Sequence, residues 1–166
     1  GLSIGMVVNP LVFPYDNSRQ IRDTIESLDR ELIRFLEEMF DGDEVLPDAA
    51  RMEEKVSIMA QQLTVFTNQR LWMRRSAQKQ QIASFRVCQS KARELLARME
   101  ILSHMERPGR LTKENRRKLR AAGAQISDNR PLRNPREWDI VVNYHVAQIL
   151  KLRKELLEAL REEKVG

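Results

Sequence analysis

Between Pro47 and Pro108 the chain contains neither proline nor glycine. Most of this stretch consists of helix formers, with Ala, Gln, Arg, Leu, Met and Glu recurring throughout. Read as one helix, it would run roughly 90 Å. A helix of that length outruns any core that 166 residues can build. Part of it would lie in solvent or against another chain. The expectation is therefore a rod, spacer or assembly part rather than a compact enzyme.

Composition supports long helices over sheets. Charged residues make up 32% of the chain and aromatics 5%, and glycine and proline number six each. The net charge of +5 conceals a polarity. Residues 1–48 hold 11 acids against 4 bases, and the remainder of the chain is strongly basic. Such asymmetry points to a charged partner, or to one end of the protein docking on the other. Cys88 is the only cysteine, so no internal disulfide can form. A reducing, cytoplasmic setting is the expectation. No apolar run reaches membrane-spanning length, and no signal peptide is visible, although a processed secretory form would read the same way.

The fold expected is all-α: an elongated helical bundle or coiled coil with one very long central helix and a short basic helix. Residues 1–16 read as an extended segment, because Pro10 and Pro14 disfavour helix before them. Residues 17–166 read as a single helical domain, with helices at about 17–41, 48–106, 112–122 and 134–164. Asn17 and Gln20 form a capping-box pattern. Ile21, Ile25, Leu28, Leu32, Phe35 and Met39 then follow at alternating spacings of four and three, a heptad seam. In the long helix Met52, Val56, Met59, Leu63, Phe66, Met73 and Ala77 form one seam, interrupted by Arg70. Phe85, Cys88, Ala92, Leu95, Met99 and Leu102 form another, displaced by one residue. The displacement is a stutter through a polar middle, residues 74–81. It allows a continuous helix or a hairpin, and the missing Gly and Pro favour continuity. Asp48 and Thr112 are expected N-caps. Arg107-Pro108-Gly109-Arg110 is a stop signal, and Gly123 closes the short helix. Asn134-Pro135-Arg136-Glu137 opens the last helix, with Asn134 as its N-cap. Trp138, Val142, Ile149, Leu152 and Leu156 line that helix. Two seams on one long helix exceed what the first and last helices can cover, so self-association or a partner helix is expected.

Chemistry-bearing motifs are sparse. Neither a Cys/His metal cluster nor a phosphate loop nor a serine elbow is present. His104 is expected as a solvated or capping residue. His145 is expected as a hydrogen-bonded histidine in a bundle layer, and Cys88 as a buried structural thiol. No catalytic residue, cofactor, metal or small-molecule substrate is assigned. The strongest signal is basic: Arg107, Arg110, Lys113, Arg116, Arg117, Lys118 and Arg120, followed by Arg130, Arg133 and Arg136. Arg70, Arg74, Arg75 and Lys79 form a second group. Arginine suits bidentate recognition of carboxylate and phosphate. The short basic helix holds little apolar content, so its arginines are expected to protrude and to be dispensable for folding. The function expected is a non-enzymatic helical scaffold or adaptor acting through coiled-coil protein–protein contacts. The alternative is a nucleic-acid-associated structural protein gripping phosphate backbone. Against it, aromatic residues for base stacking do not interleave with the cluster in sequence. A membrane surface is the least expected partner, because no basic insertion helix is evident.

Overall fold

A computed structural model of the protein describes residues 17–41, 45–70, 76–127 and 131–165. The extended segment expected at 1–16 lies outside these residues, as do Arg74, Arg75 and Arg130. Among the described residues all regular structure is helical. Helix α1 spans Asn17–Met39, α2 Ala50–Arg70, α3 Ser76–Ser103, α4 Lys113–Ala121 and α5 Glu137–Val165.

The expectation of one continuous helix over 48–106 is corrected here. The rings of Phe66 and Phe85 meet edge to face, with centroids 5.4 Å apart. In a single helix those residues would be roughly 28 Å apart. The chain therefore reverses between them, and α2 packs on α3 as a hairpin. The two helices run antiparallel. Phe66, late in α2, meets Phe85, early in α3. Met52, early in α2, shares a groove with Met99, late in α3.

The other neighbours are antiparallel too. The Thr24 hydroxyl on α1 lies 2.7 Å from Gln62 Oε1 on α2. Lys91 on α3 pairs with Glu155 on α5 at 2.6 Å, while Arg98 reaches His145. Arg153 on α5 donates from Nε to Asp29 on α1 at 2.6 Å, with a second bond from the guanidinium at 3.1 Å. The order around the bundle is thus α1, α2, α3, α5. The α1–α2 layer sits opposite the α3–α5 layer.

Both seams of the long stretch are consumed inside the chain. Met52, Met59, Phe66, Phe85, Leu95 and Leu102 are all buried, and the α1 seam from Ile21 to Met39 is buried throughout. The reversal lets two displaced registers face one common core. The uncovered seam that argued for self-association is therefore absent from α1, α2 and α3 where they are described. Met73 and the side chain of Ala77 lie outside the described residues. Cys88 is fully buried with its thiol 3.9 Å from the Leu156 carbonyl.

Local chemistry sets the ends. Asp48 Oδ1 accepts from the Ala50 N–H at 2.7 Å, holding the start of α2. Thr112 caps α4 by accepting from the Asn115 N–H. Beyond α4, Gly123 takes φ +97°. The Ala124 N–H reaches back to the Leu119 carbonyl and the Gly123 N–H to that of Arg120. This is a Schellman motif, which needs the left-handed residue glycine supplies. The start of α5 differs from expectation. Asn134 has φ +54° and lies outside the helix. Arg136 is the N-cap: its carbonyl accepts from the Ile140 N–H and its own N–H is bound by Asp139 Oδ2. Asp139, at the third helical position, thus makes the reciprocal half of a capping box.

Candidate functional site

The basic residues do not form one protruding patch. Helix α4 is anchored: Leu119 is fully buried and Asn115 and Arg116 nearly so. Arg116 donates to the Leu111 carbonyl at 3.2 Å, and Arg120 to the Ile126 carbonyl at 3.1 Å. The loop after α4 is tied to the end of α1, where Glu37 accepts from the Gln125 N–H and the Asp41 carbonyl from the Ser127 hydroxyl. The expectation that Arg116, Arg117 and Arg120 lack core contacts thus holds for Arg117 alone. Arg116→Gln is expected to cost about 1–3 kcal/mol, because it strips a charged donor from a buried carbonyl. Arg117→Gln is expected to stay within about 0.5 kcal/mol. Urea titrations of both variants check this contrast, and equal costs would contradict it.

Two groups of cations remain on the surface. Lys113, Arg117 and Lys118 lie exposed on α4, with Lys118 paired to Glu114 at 3.3 Å. The second group gathers around the start of α5. The Arg107 guanidinium lies 5.1 Å from the Trp138 ring centroid, and that of Arg136 lies 5.2 Å from it. Arg110 is half-buried beside them, 3.9 Å from Asp139 Oδ2 and donating to the Arg133 carbonyl at 3.4 Å. Arg133 itself is exposed. One turn further along, Arg98 of α3 lies 5.6 Å from the Tyr144 ring centroid.

A buried polar network fixes the backbone that carries Arg110 and Arg136. Asp139 is 1% exposed, and accepts from the Arg110 N–H at 2.8 Å and the Arg136 N–H at 2.9 Å. Asn143, one turn on, donates to the carbonyls of Arg110 and Asp139 and accepts from the Thr112 N–H. Asn115 of α4 donates to Asn143 Oδ1 at 3.0 Å. Close passage of the loop over α5 requires Gly109, which has φ +76°. A Cβ there would sit 3.2 Å from Asp139 Oδ1 and 3.3 Å from Val142.

Large apolar side chains lie exposed beside the cations: Ile140 at 61%, Tyr144 at 56%, Ile101 at 45% and Val141 at 36%. Ile140 and Tyr144 are one turn apart on α5, and Trp138, Val141 and Tyr144 follow at spacings of three. Ile101 lies one turn beyond Arg98 on α3. Aromatic rings, arginines and exposed aliphatics thus share the α3–α5 layer. Sequence reading missed this juxtaposition. It placed Trp138 in the core seam, passed over Tyr144 and Arg98, and found no aromatic residue near the cluster. The Arg136–Trp138 spacing was the one local signal. Arg107 and Arg98 reach the rings only through folding.

His145 sits half-buried at the inner edge of this surface, where its Nδ1 lies 3.1 Å from Arg98 NH1. Arg98 must donate, so the ring accepts in its neutral form. Burial, then the Arg98 charge, lowers the His145 pKa below its usual 6.5. The unfolded chain consequently binds the proton more readily than the folded one. Stability from this residue is complete above pH 6.5 and is lost as pH falls through the lowered value. Urea melts across that range should show the wild type losing stability on acidification and His145→Gln losing less. Parallel pH profiles would contradict it. At the end of α3, His104 Nδ1 lies 2.7 Å from the Glu100 carbonyl, a C-terminal capping contact.

Among the described residues, no group of three or more His, Cys, Asp or Glu could hold a metal ion, and no helix is long and apolar enough to cross a membrane. No protein-family model matches the chain, and no curated protein or solved structure is significantly similar to it.

Proposed function

We propose that this chain is a non-enzymatic helical scaffold or adaptor whose α3–α5 layer docks an acidic protein surface. One observation carries the reading. Two guanidinium groups lie against Trp138, and Val141 and Tyr144 follow it at spacings of three along α5, both exposed. Trp, Tyr and Arg are the residues most enriched at the energetic centres of protein interfaces. Guanidinium groups that already lie against an indole lose less freedom on meeting a carboxylate than free ones. The contact runs through this surface rather than through heptad seams, because those seams are filled within the chain.

Nucleic acid remains the second reading, and the folded arrangement favours it in one respect. Trp138 and Tyr144 now stand among arginines, as a single-strand binding surface requires. Against it, the exposed aliphatics Ile140, Ile101 and Val141 offer nothing to a phosphate backbone. The test is fluorescence anisotropy with two probes, an amphipathic Glu/Leu helical peptide and random single-stranded DNA, across a salt series. Peptide binding that is lost in Ile140→Asp supports the protein reading. DNA binding with a steep salt slope, indifferent to Ile140→Asp, supports the nucleic-acid reading.

A further inference from the structure

Arg98 spends its side-chain hydrogen bond on a neutral acceptor. Its NH1 lies 3.1 Å from His145 Nδ1, and its guanidinium 5.6 Å from the Tyr144 ring centroid. The Tyr144 and His145 rings meet edge to face, with centroids 5.5 Å apart. Among the described residues no carboxylate pairs with Arg98, whereas Lys91 on the same helix has Glu155 and Arg153 on α5 has Asp29. Guanidinium, imidazole and phenol thus form one cluster at the rim of the α3–α5 layer. Tyr144 is exposed there, as is Ile101, one turn along α3 from Arg98.

Arg98 is the charge set against this imidazole. One turn either side of His145 on α5 stand Val141, Val142, Gln148 and Ile149, none of which titrates. One turn either side of Arg98 on α3, Glu94 alone titrates, and it is exposed. From α4, the uncharged Asn115 meets Asn143. On α1, Asp29 is held by Arg153 and Glu37 by the Gln125 N–H.

Protonation changes what this cluster needs. The neutral ring accepts from Arg98, but an imidazolium donates from both nitrogens. Two donors and two positive charges then face each other across the same short distance. A carboxylate between them satisfies both, one oxygen for each donor. Resting on the proposed function above, we infer that a carboxylate of the acidic partner seats between Arg98 and His145, and that its seating draws one proton from solvent onto His145 Nδ1. The Arg98 guanidinium turns from Nδ1 to one carboxylate oxygen, and the new Nδ1–H donates to the other. No covalent bond other than that N–H changes.

Linkage fixes the sign. Burial and the Arg98 charge hold the His145 pKa below 6.5 in the free chain. The seated carboxylate offsets the Arg98 charge, so the complex binds the proton more readily than the free chain does. Affinity therefore rises as pH falls through the pKa of the complex, and levels off below that of the free chain. Docking on this surface is strengthened by acid, although acid costs the fold some stability at the same residue.

The first readout needs no substitution. His104 and His145 are the two imidazoles of the full chain. Their NMR titration is recorded alone and with saturating Glu/Leu helical peptide. His145 is expected to titrate at higher pH with the peptide, and His104, bound to a backbone carbonyl, to move less. The second readout is peptide affinity by fluorescence anisotropy at fixed ionic strength, at about pH 7.5 and about pH 5.5, where the peptide's glutamates, with a pKa of about 4.3, stay ionised. Wild type is expected to tighten by about tenfold, the gain for one unit of pKa. His145→Gln keeps an acceptor for Arg98 but takes up no proton, and Arg98→Gln removes the other half of the seat. Neither should show that gain, and melting curves check that both fold. The excess of wild type over His145→Gln is the quantity read, because the peptide's own helicity responds to pH. A His145 titration that the bound peptide leaves in place overturns the inference, as do parallel pH profiles for wild type and His145→Gln. If the peptide binds, and is lost in Ile140→Asp, while His145 does not move, only the seat is wrong and the acidic-partner reading stands. If the peptide binds at neither pH, both fall. They also fall if single-stranded DNA shifts His145 and the peptide does not.

Discussion

Phe66→Ala is expected to lower the free energy of unfolding by about 3–5 kcal/mol, the range for truncating a buried aromatic residue. Phe66 is fully buried and packs edge to face on the equally buried Phe85. Leu63, one turn earlier on the same seam, is 4% exposed, and Leu63→Ala should cost about 2–5 kcal/mol. The more telling measurement is the Phe66/Phe85 double-mutant cycle. In the hairpin the two rings touch, and a coupling of about 0.5–1.5 kcal/mol is expected. In one continuous helix they would be roughly 28 Å apart, and separations beyond about 10 Å give additive effects. Denaturant titration of the four proteins decides the matter. Strict additivity would contradict the hairpin, and a cost below about 0.5 kcal/mol for either single variant would place its residue on the surface.

The helices were legible because their apolar residues keep a period that only a buried face needs. Ile21, Ile25, Leu28, Leu32, Phe35 and Met39 were all assigned to the core from spacing, and all are buried. The cap at Thr112 was legible for a similar reason, since the side-chain acceptor and the N–H it binds are three residues apart. Asp48 does bind the Ala50 N–H, but the first helical bond goes to the Ala49 carbonyl, one residue later than expected. The reversal was not legible. Helix propensity reports on local backbone, and no residue between Arg70 and Ser76 is a helix breaker. The one-residue displacement between the seams was the available clue. It marks a change of face, which a stutter and a hairpin both produce. The site failed in a different way. The arginines were visible as a cluster, but burial of Arg116 follows from Leu119 anchoring α4, a tertiary fact. Trp138 and Tyr144 each acquire one arginine, Arg107 and Arg98, from segments some 30 to 50 residues away in sequence, and only Arg136 is local.

Asp139→Ala should damage both the fold and the surface, and Ile140→Asp, one residue on, should damage the surface alone. The Asp139 carboxylate is 1% exposed and binds the backbone N–H groups of Arg110 and Arg136, with the Arg110 guanidinium nearby. Its removal leaves two backbone donors without their acceptor and a half-buried cation without its nearest carboxylate. Each unsatisfied buried group costs about 1–3 kcal/mol, so a total of about 3–5 kcal/mol is expected, in line with breaking buried ion pairs. Asp139→Asn keeps the shape and one acceptor oxygen, but turns an amide NH2 toward an N–H, and should fall between. The same carboxylate sets the loop from 107 to 112 and the start of α5, which carry the two arginines over Trp138. The Ile140 side chain is 61% exposed, and Ile140→Asp should leave the melting temperature nearly unchanged. The two effects separate in a Trp72→Phe background, where Trp138 is the sole indole. Acrylamide quenching of Trp138 should rise in Asp139→Ala, as Arg107 and Arg136 leave the ring, and remain close to wild type in Ile140→Asp. Both variants should lose the acidic helical peptide. If Asp139→Ala kept its stability to within about 0.5 kcal/mol and its quenching unchanged, the buried network would not be what positions these arginines.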